Sequence, residues 1–286
     1  MNVGLVLEGG AMRGLFTSGV LDVLMERQVR FGGIVGVSAG AAFGCNYKSR
    51  QPGRVLRYNL KYCRDRRYCS WRSWLLTGDL FGADFCYRRL PDELDPFDAA
   101  TFAADPTEFI LVCTDIERGE PVYHKCTQAD RECYEWMRAS ASMPLVSRIV
   151  KIGGGEYLDG ALTDSIPLEF MERCGYERNV VILTQPAGYV KQPVRLLPLL
   201  GAIYRKYPKM LDALKKRHLV YNAEVAYAEA RQSAGAALIL RPDEPLPVDR
   251  ISHSPEKLRR TYELGRAAAE KNFRKIAEFI GFQADY

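Results

Sequence analysis

Residues 34–43 read Ile34-Val35-Gly36-Val37-Ser38-Ala39-Gly40-Ala41-Ala42-Phe43. Ile34–Val37 is an apolar, β-branched run, which predicts a buried strand. The run breaks at Ser38, and the small residues after it open a helix. A serine at such a strand-to-helix turn projects its hydroxyl from the C-terminal edge of a sheet. Glycines at Gly36 and Gly40 leave room for so tight a turn. A G-x-S-x-G sequence alone is also compatible with a packed turn of small residues, so its surroundings decide its meaning.

Upstream the pattern repeats. Val3–Leu7 is a second buried strand, followed by the loop Glu8-Gly9-Gly10-Ala11-Met12-Arg13-Gly14. Leu15, Phe16, Val20, Leu21, Val23 and Leu24 then recur at helical spacing. Strand, loop, helix, strand, turn and helix in that order predict an α/β fold with a parallel sheet. Downstream, Phe109–Thr114 and Val180–Thr184 read as core strands, and 121–125 as an antiparallel neighbour. A helix is expected over Asp130–Ala141, and residues 151–160 suggest a hairpin that enters a tight turn. From Gln192 the pattern is mainly helical, with a late strand at Ala237–Leu240 and a last helix over Pro255–Ile280. The expected organisation is a core over residues 1–190 and a helical extension over 191–286 packed on the same domain. Leu196, Leu197, Leu199, Leu200 and Ile203 predict a core-facing helix there.

Composition narrows the function classes. With 286 residues, of which 47% are hydrophobic and 26% charged, the chain has an ordinary globular make-up. No apolar run approaches the roughly 20 residues of a membrane span. The N-terminus lacks a basic stretch and a signal-length apolar run, so the expected location is the cytoplasm, with peripheral membrane contact. None of the eight cysteines stands in a C-x-x-C pair, so zinc and other metals have no signature and no cofactor is expected. The net charge of +5 is uneven. Lys48–Arg72 carries nine bases against Asp65, and Lys191–Arg217 eight against Asp212. Tyr47, Tyr58, Tyr62, Tyr68, Trp71 and Trp74 lie in or beside the first run, a mixture suited to an anionic lipid surface. No nucleic-acid-binding motif accompanies it.

A serine nucleophile needs a base. An order Ser38–Asp159–His253 is formally available, but Ser38 follows only two strands, and His253 lies in a proline-rich loop. His124 and His218 have strand-face and helix-end explanations. Asp159, in Leu158-Asp159-Gly160-Ala161, stands where a strand turns abruptly and is the better candidate. The N-terminal glycine loop could supply backbone N–H groups to an oxyanion. It lacks the Lys-Ser/Thr ending of a phosphate loop and the middle glycine of a dinucleotide loop.

Three motifs in this order resemble the patatin-like phospholipases, most closely the bacterial members: Glu8-Gly9-Gly10-Ala11-Met12-Arg13-Gly14, Gly36-Val37-Ser38-Ala39-Gly40 and Asp159-Gly160-Ala161. Ala139-Ser140-Ala141-Ser142-Met143-Pro144 and the continuation to Pro167 agree with the family pattern. The resemblance covers residues 1 to about 185. It implies a three-layer α/β/α fold with a mostly parallel central sheet. It further implies a dyad of Ser38 as nucleophile and Asp159 as base, an oxyanion hole at Gly9, Gly10, Ala11 and Met12, and support from Arg13, Gly14, Gly36, Gly40 and Gly160. Ala11 stands where the family often has a third glycine, which removes no N–H group. The implied activity is a serine esterase of phospholipase A or lysophospholipase type acting on a lipid ester. The same groups would also serve an acyltransferase, or a lipid-binding protein without turnover.

Overall fold

A computed structural model describes residues 2–282. It opens with strand β1 (Val3–Leu7), one 3-10 turn at Ala11–Arg13, helix α1 (Gly14–Glu26), strand β2 (Gly33–Val37) and helix α2 (Ala39–Lys48). Helices α3 (Arg54–Tyr62) and α4 (Trp71–Thr77), a π-helical stretch at Phe85–Leu94 and helix α5 (Ala99–Ala104) form an excursion. The sheet resumes with β3 (Glu108–Asp115) and β4 (Glu120–Lys125), then α6 (Arg131–Ser140), the hairpin β5 (Val150–Ile152) and β6 (Gly155–Asp159), α7 (Leu168–Arg173) and β7 (Arg178–Ile182). Next come α8 (Leu197–Ile203), α9 (Pro208–Ser233), β8 (Ala237–Leu240) and α10 (Pro255–Ile280).

Strand order is β5-β6-β3-β2-β1-β7-β8, with β4 also paired to β3. The five strands from β3 to β8 are parallel, and β4, β5 and β6 join antiparallel. Side chains alternate between the two faces. Leu5, Leu7, Ile34, Leu111, Val180 and Ile182 pack with α1, α2, α6 and α10. Val6, Val35, Val37, Val112 and Val181 pack with α7 and α9. The sheet is thus covered on both faces, as parallel sheets require. Among the described residues no helix is long and apolar enough to cross a membrane.

Residues beyond 190 are built into this architecture. β8 pairs in parallel with β7, and α10 lies against α1 with backbones in near contact. A Cβ at Gly265 would stand 1.9 Å from the Phe16 carbonyl oxygen, and one at Gly19 would stand 2.1 Å from that of Tyr262. Buried Asp22 joins the pair, accepting from the Tyr262 hydroxyl (2.7 Å) and the Gly53 N–H (2.8 Å). Burial pushes its carboxyl up to about 6. Ser254 caps α10 by accepting the Lys257 N–H, and Gly281 ends it in the left-handed region.

Two surface expectations change. The basic run 48–72 is largely consumed inside the fold. Buried Lys48 donates to the carbonyls of Asp105 and Thr107, Arg50 pairs with Asp105, Arg54 and Arg57 pair with Asp95, and Arg67 pairs with Asp65. Besides Lys48, only Lys61, Arg64, Arg66 and Arg72 lack an ion pair among the described residues. In α8 only Leu200 is fully buried. Leu196, Leu199 and Ile203 are about half exposed, so that helix is not wholly core-facing. On α4, Trp71, Leu75 and Leu76 are 64%, 76% and 70% exposed.

The α1–α10 contact has a measurable consequence. Gly265→Ala drives a methyl into the Phe16 carbonyl and should cost about 3 kcal/mol or more in urea unfolding. Gly201→Ala, in open space on α8, should be neutral or stabilise by up to about 1 kcal/mol. Equal small effects from both would show that the two helices can move apart freely.

Candidate active site

One edge of β3 carries two strands. β2 pairs with it as far as Val37 opposite Val112, and β6 pairs with it from Asp159 opposite Cys113. β4 occupies Ile110–Asp115. It overlaps both partners and must therefore take the opposite edge, leaving β2 and β6 end to end. The parallel strand leaves into Ser38 where the antiparallel strand arrives at Asp159. Residues far apart in sequence thus meet at adjacent rungs of one ladder.

The turn at Ser38 is strained. Its φ of 55° and ψ of −121° lie outside the regions that L-residues favour, a conformation costing about 1–3 kcal/mol that clusters at functional sites. Ser38 donates its N–H to Ser140 Oγ (2.9 Å), which donates to the Val112 carbonyl (2.7 Å). Ser140 therefore ties the turn to β3. Ser38 Oγ sits on a partly exposed residue at the start of α2. The glycines allow close approach: a Cβ at Gly40 would stand 2.3 Å from the Leu7 carbonyl, and one at Gly9 would stand 2.9 Å from Ser38 Cβ. Gly160 passes the Val112 carbonyl with 2.2 Å for an added Cβ.

The glycine loop lies against the serine. Among the described residues the N–H groups of Gly9, Gly10 and Ala11 have no protein acceptor. Met12 differs, because its N–H donates to the Arg250 carbonyl at 3.4 Å. Glu8 anchors the loop from beneath. It accepts from the Thr184 N–H (2.5 Å), the Thr184 hydroxyl (3.1 Å) and the Tyr221 hydroxyl (2.9 Å). Thr184 also donates to the Gly9 carbonyl (3.2 Å). Arg13 is half-buried beside the loop, and its Nε is buried without a hydrogen bond.

Asp159 is buried, at 1% exposure. Its N–H donates to the Ser142 carbonyl (2.8 Å), and its Oδ1 accepts from the Ala161 N–H (2.8 Å). Oδ2 is buried and makes no hydrogen bond. Burial raises the carboxyl above its ordinary range, opposed by the nearby Ser38 hydroxyl, the Ala161 N–H and the positive charges of Arg217 and Arg250. A buried carboxyl with one free oxygen, beside a serine hydroxyl that acts on its charge, is equipped to accept a proton. Two of the histidines are occupied elsewhere. His124 stacks on Trp136 at 4.3 Å and His253 Nδ1 meets the Cys63 carbonyl at 2.6 Å, while His218 lies on α9 with its Nδ1 buried and without a hydrogen bond.

Glu8, Ser140, Thr184, Tyr221 and Arg217 also shape this site. Glu8 and Ser140 stand inside quoted motifs, but nothing in the pattern assigned them a task. Thr184, Arg217 and Tyr221 are single residues on other elements. Arg217 Nε donates to the Ala161 carbonyl, and Glu224 accepts the N–H groups of Ser165 and Ile166 (3.2 Å each). Helix α9 thereby clamps the turn that follows Asp159.

Residues 207–281 match a domain of unknown function, DUF6363. The chain is 30% identical over 283 residues to the Escherichia coli (strain K12) protein YjjU, described as uncharacterized, covering 92% of this chain and 75% of that one. It is 29% identical over 198 residues to the Caenorhabditis elegans protein M110.7, whose name includes the words patatin-like phospholipase domain-containing. That match covers 63% of this chain and 16% of that one. The crystal structure of VipD from Legionella pneumophila aligns with 95% of this chain and 66% of its own, at 12% identity and a TM-score of 0.47. Residues 5–171 match the sequence model of the patatin-like phospholipases. More than half of the chain lies within that match, and the chain belongs to the patatin-like phospholipase family, a family of lipid acyl hydrolases.

Proposed function

We propose that the protein hydrolyses a lipid ester through Ser38 and Asp159. The observation that carries this reading is the end-to-end meeting of β2 and β6, which sets a strained serine beside a buried carboxyl with one unbonded oxygen. Asp159 Oδ2 takes the hydroxyl proton as Ser38 Oγ attacks the ester carbonyl. The carbonyl oxygen becomes an oxyanion and receives the N–H groups of Gly9, Gly10 and Ala11, with Met12 at the margin of the hole. Collapse breaks the bond to the alcohol, which leaves with the proton from Asp159. Water then gives a proton to Asp159, attacks the acyl-serine and releases the carboxylic acid, and the proton returns to Ser38.

We also assign the lipid-facing contact to the surface around α4. Trp71, Leu75 and Leu76 protrude there, with unpaired Arg66 and Arg72 beside them. Trp74 of the same helix donates to the Leu145 carbonyl (2.8 Å), and the Leu145 N–H donates to the Tyr204 hydroxyl (3.0 Å). Exposed α4 and half-exposed α8 therefore flank one segment, just beyond the Ser142 carbonyl that holds Asp159.

Three outcomes test these assignments. A fluorophosphonate probe should label the wild type at Ser38, fail on Ser38→Ala and label Asp159→Asn at least tenfold more slowly. An unlabelled but folded wild type would remove the hydrolase reading. Activity should rise with pH as Asp159 ionises. For stability the sign is opposite: the raised carboxyl favours the fold while protonated, and this contribution is lost as pH rises through its folded pKa. Asp159→Asn escapes that loss, so in thermal unfolding its stability relative to the wild type should increase from pH 4 to pH 8. Finally, Leu75→Glu with Leu76→Glu should weaken sedimentation with anionic vesicles at least fivefold. Unchanged sedimentation would place the membrane contact elsewhere.

A further inference from the structure

Four cations from four separate segments gather at the Ser38–Asp159 site. Arg13 stands at the glycine loop, Lys191 follows β7, Arg217 projects from α9, and Arg250 precedes α10. Arg217 and Arg250 both act on the Asp159 charge. Lys191 feels Arg217, Glu8, Arg250 and Arg13. Its Nζ lies 3.6 Å above the Tyr221 ring, and its main chain is held to Asn222 by two hydrogen bonds (2.9 and 3.2 Å). Arg250 touches the loop through its carbonyl, which accepts the Met12 N–H. Among the described residues none of the four has an ion pair, and the Arg13 Nε is buried without a partner.

Nearby acids do not balance this charge. Glu8 is committed to Thr184 and Tyr221. Glu224 accepts the N–H groups of Ser165 and Ile166, and burial with Asp164 beside it pushes its carboxyl up. Asp159 faces Ser38. Lys191, pulled down to about 7 by burial and by its cationic neighbours, records how unfavourable the crowding is without a counter-charge. Half-buried cations normally find a carboxylate, because leaving them unpaired costs desolvation energy without return. Half-buried Arg13, Lys191 and Arg217, with exposed Arg250 beside them, converge unpaired at the Ser38–Asp159 site and are arranged for an anion supplied from outside.

We propose that Lys191, Arg217 and Arg250, with Arg13, form an anion subsite that selects esters bearing a phosphate a few bonds from the scissile carbonyl. The proposal deepens the hydrolase reading and rests on it for the word ester. In a glycerophospholipid the phosphate is separated from the neighbouring acyl oxygen by two carbons and one oxygen, a reach of about one side-chain length. Three of the four cations lie outside the segment that matches the patatin-like phospholipases, so residues 191–250 tune which esters the dyad meets.

Binding is measured on Ser38→Ala protein, which makes the result independent of turnover, by titration calorimetry with octyl phosphate, octyl glycerol and inorganic phosphate. Octyl phosphate should bind at least tenfold more tightly than octyl glycerol. Lys191→Gln and Arg250→Gln should each reduce that ratio at least fivefold. These two are preferred to Arg217→Gln, because Arg217 also holds the Ala161 carbonyl and its loss could loosen the turn. Equal binding of the two octyl compounds, or a ratio unmoved in both variants, overturns the subsite. Inorganic phosphate binding as tightly as octyl phosphate overturns the lipid-ester assignment in favour of a free anion. A wild type that resists the fluorophosphonate probe yet shows the expected octyl phosphate ratio would separate failure of the hydrolase reading from failure of the subsite.

Discussion

Everything at this site depends on how the edge of β3 is divided between two strands. A strand edge offers one row of donors and acceptors, and here β2 uses it to Val112 and β6 takes it up at Cys113. Ladder spacing, not side-chain reach, therefore sets the distance between Ser38 and Asp159. The Val112 carbonyl lies at the junction. Ser140 spans from it to the Ser38 N–H, and Gly160 passes so close that no side chain fits. Backbone hydrogen bonds place Ser38 and Asp159 on rigid elements, which is how a site gains precision.

A second set of contacts holds this junction against the rest of the molecule. Glu8 reaches Thr184 at the end of β7 and Tyr221 on α9, so the loop beside Ser38 is fastened at two points. Arg217 and Glu224 on the same helix fasten the turn after Asp159. The strained Ser38 backbone and the unbonded Asp159 oxygen are both unfavourable, and these surrounding bonds keep them from relaxing.

Much of the frame was legible because its signals are local. The β-branched runs at Val3–Leu7 and Ile34–Val37, the Ser254-Pro255 start of α10 and the alternation of strand and helix each announce themselves within a few residues. The three glycine-bearing motifs were legible too, since close backbone approach admits only glycine. The short helices α4, α5 and α7 span seven residues or fewer, too few turns for periodicity to register. The π-helical stretch contains Pro91 and follows no ordinary spacing. The basic run misled for a different reason. The partners of Arg50, Arg54 and Arg57, Asp95 and Asp105, lie 38 to 55 residues away in sequence, and charge counting sees only neighbours. Tyr221 and Arg217 were hidden in the same way: each is one residue on a long helix, and its meaning comes from a contact across the whole fold.

The fastening of Glu8 by Tyr221 joins the start of the chain to a residue 213 positions later. During synthesis Ser38 and Asp159 are made long before that tyrosine. The glycine loop therefore has only its Thr184 fastening until α9 has left the ribosome, and the α1 face stays uncovered until α10 follows. A growing chain carries Ser38 and Asp159 without the tyrosine that braces the neighbouring loop. The second fastening of the loop therefore forms only near the end of translation.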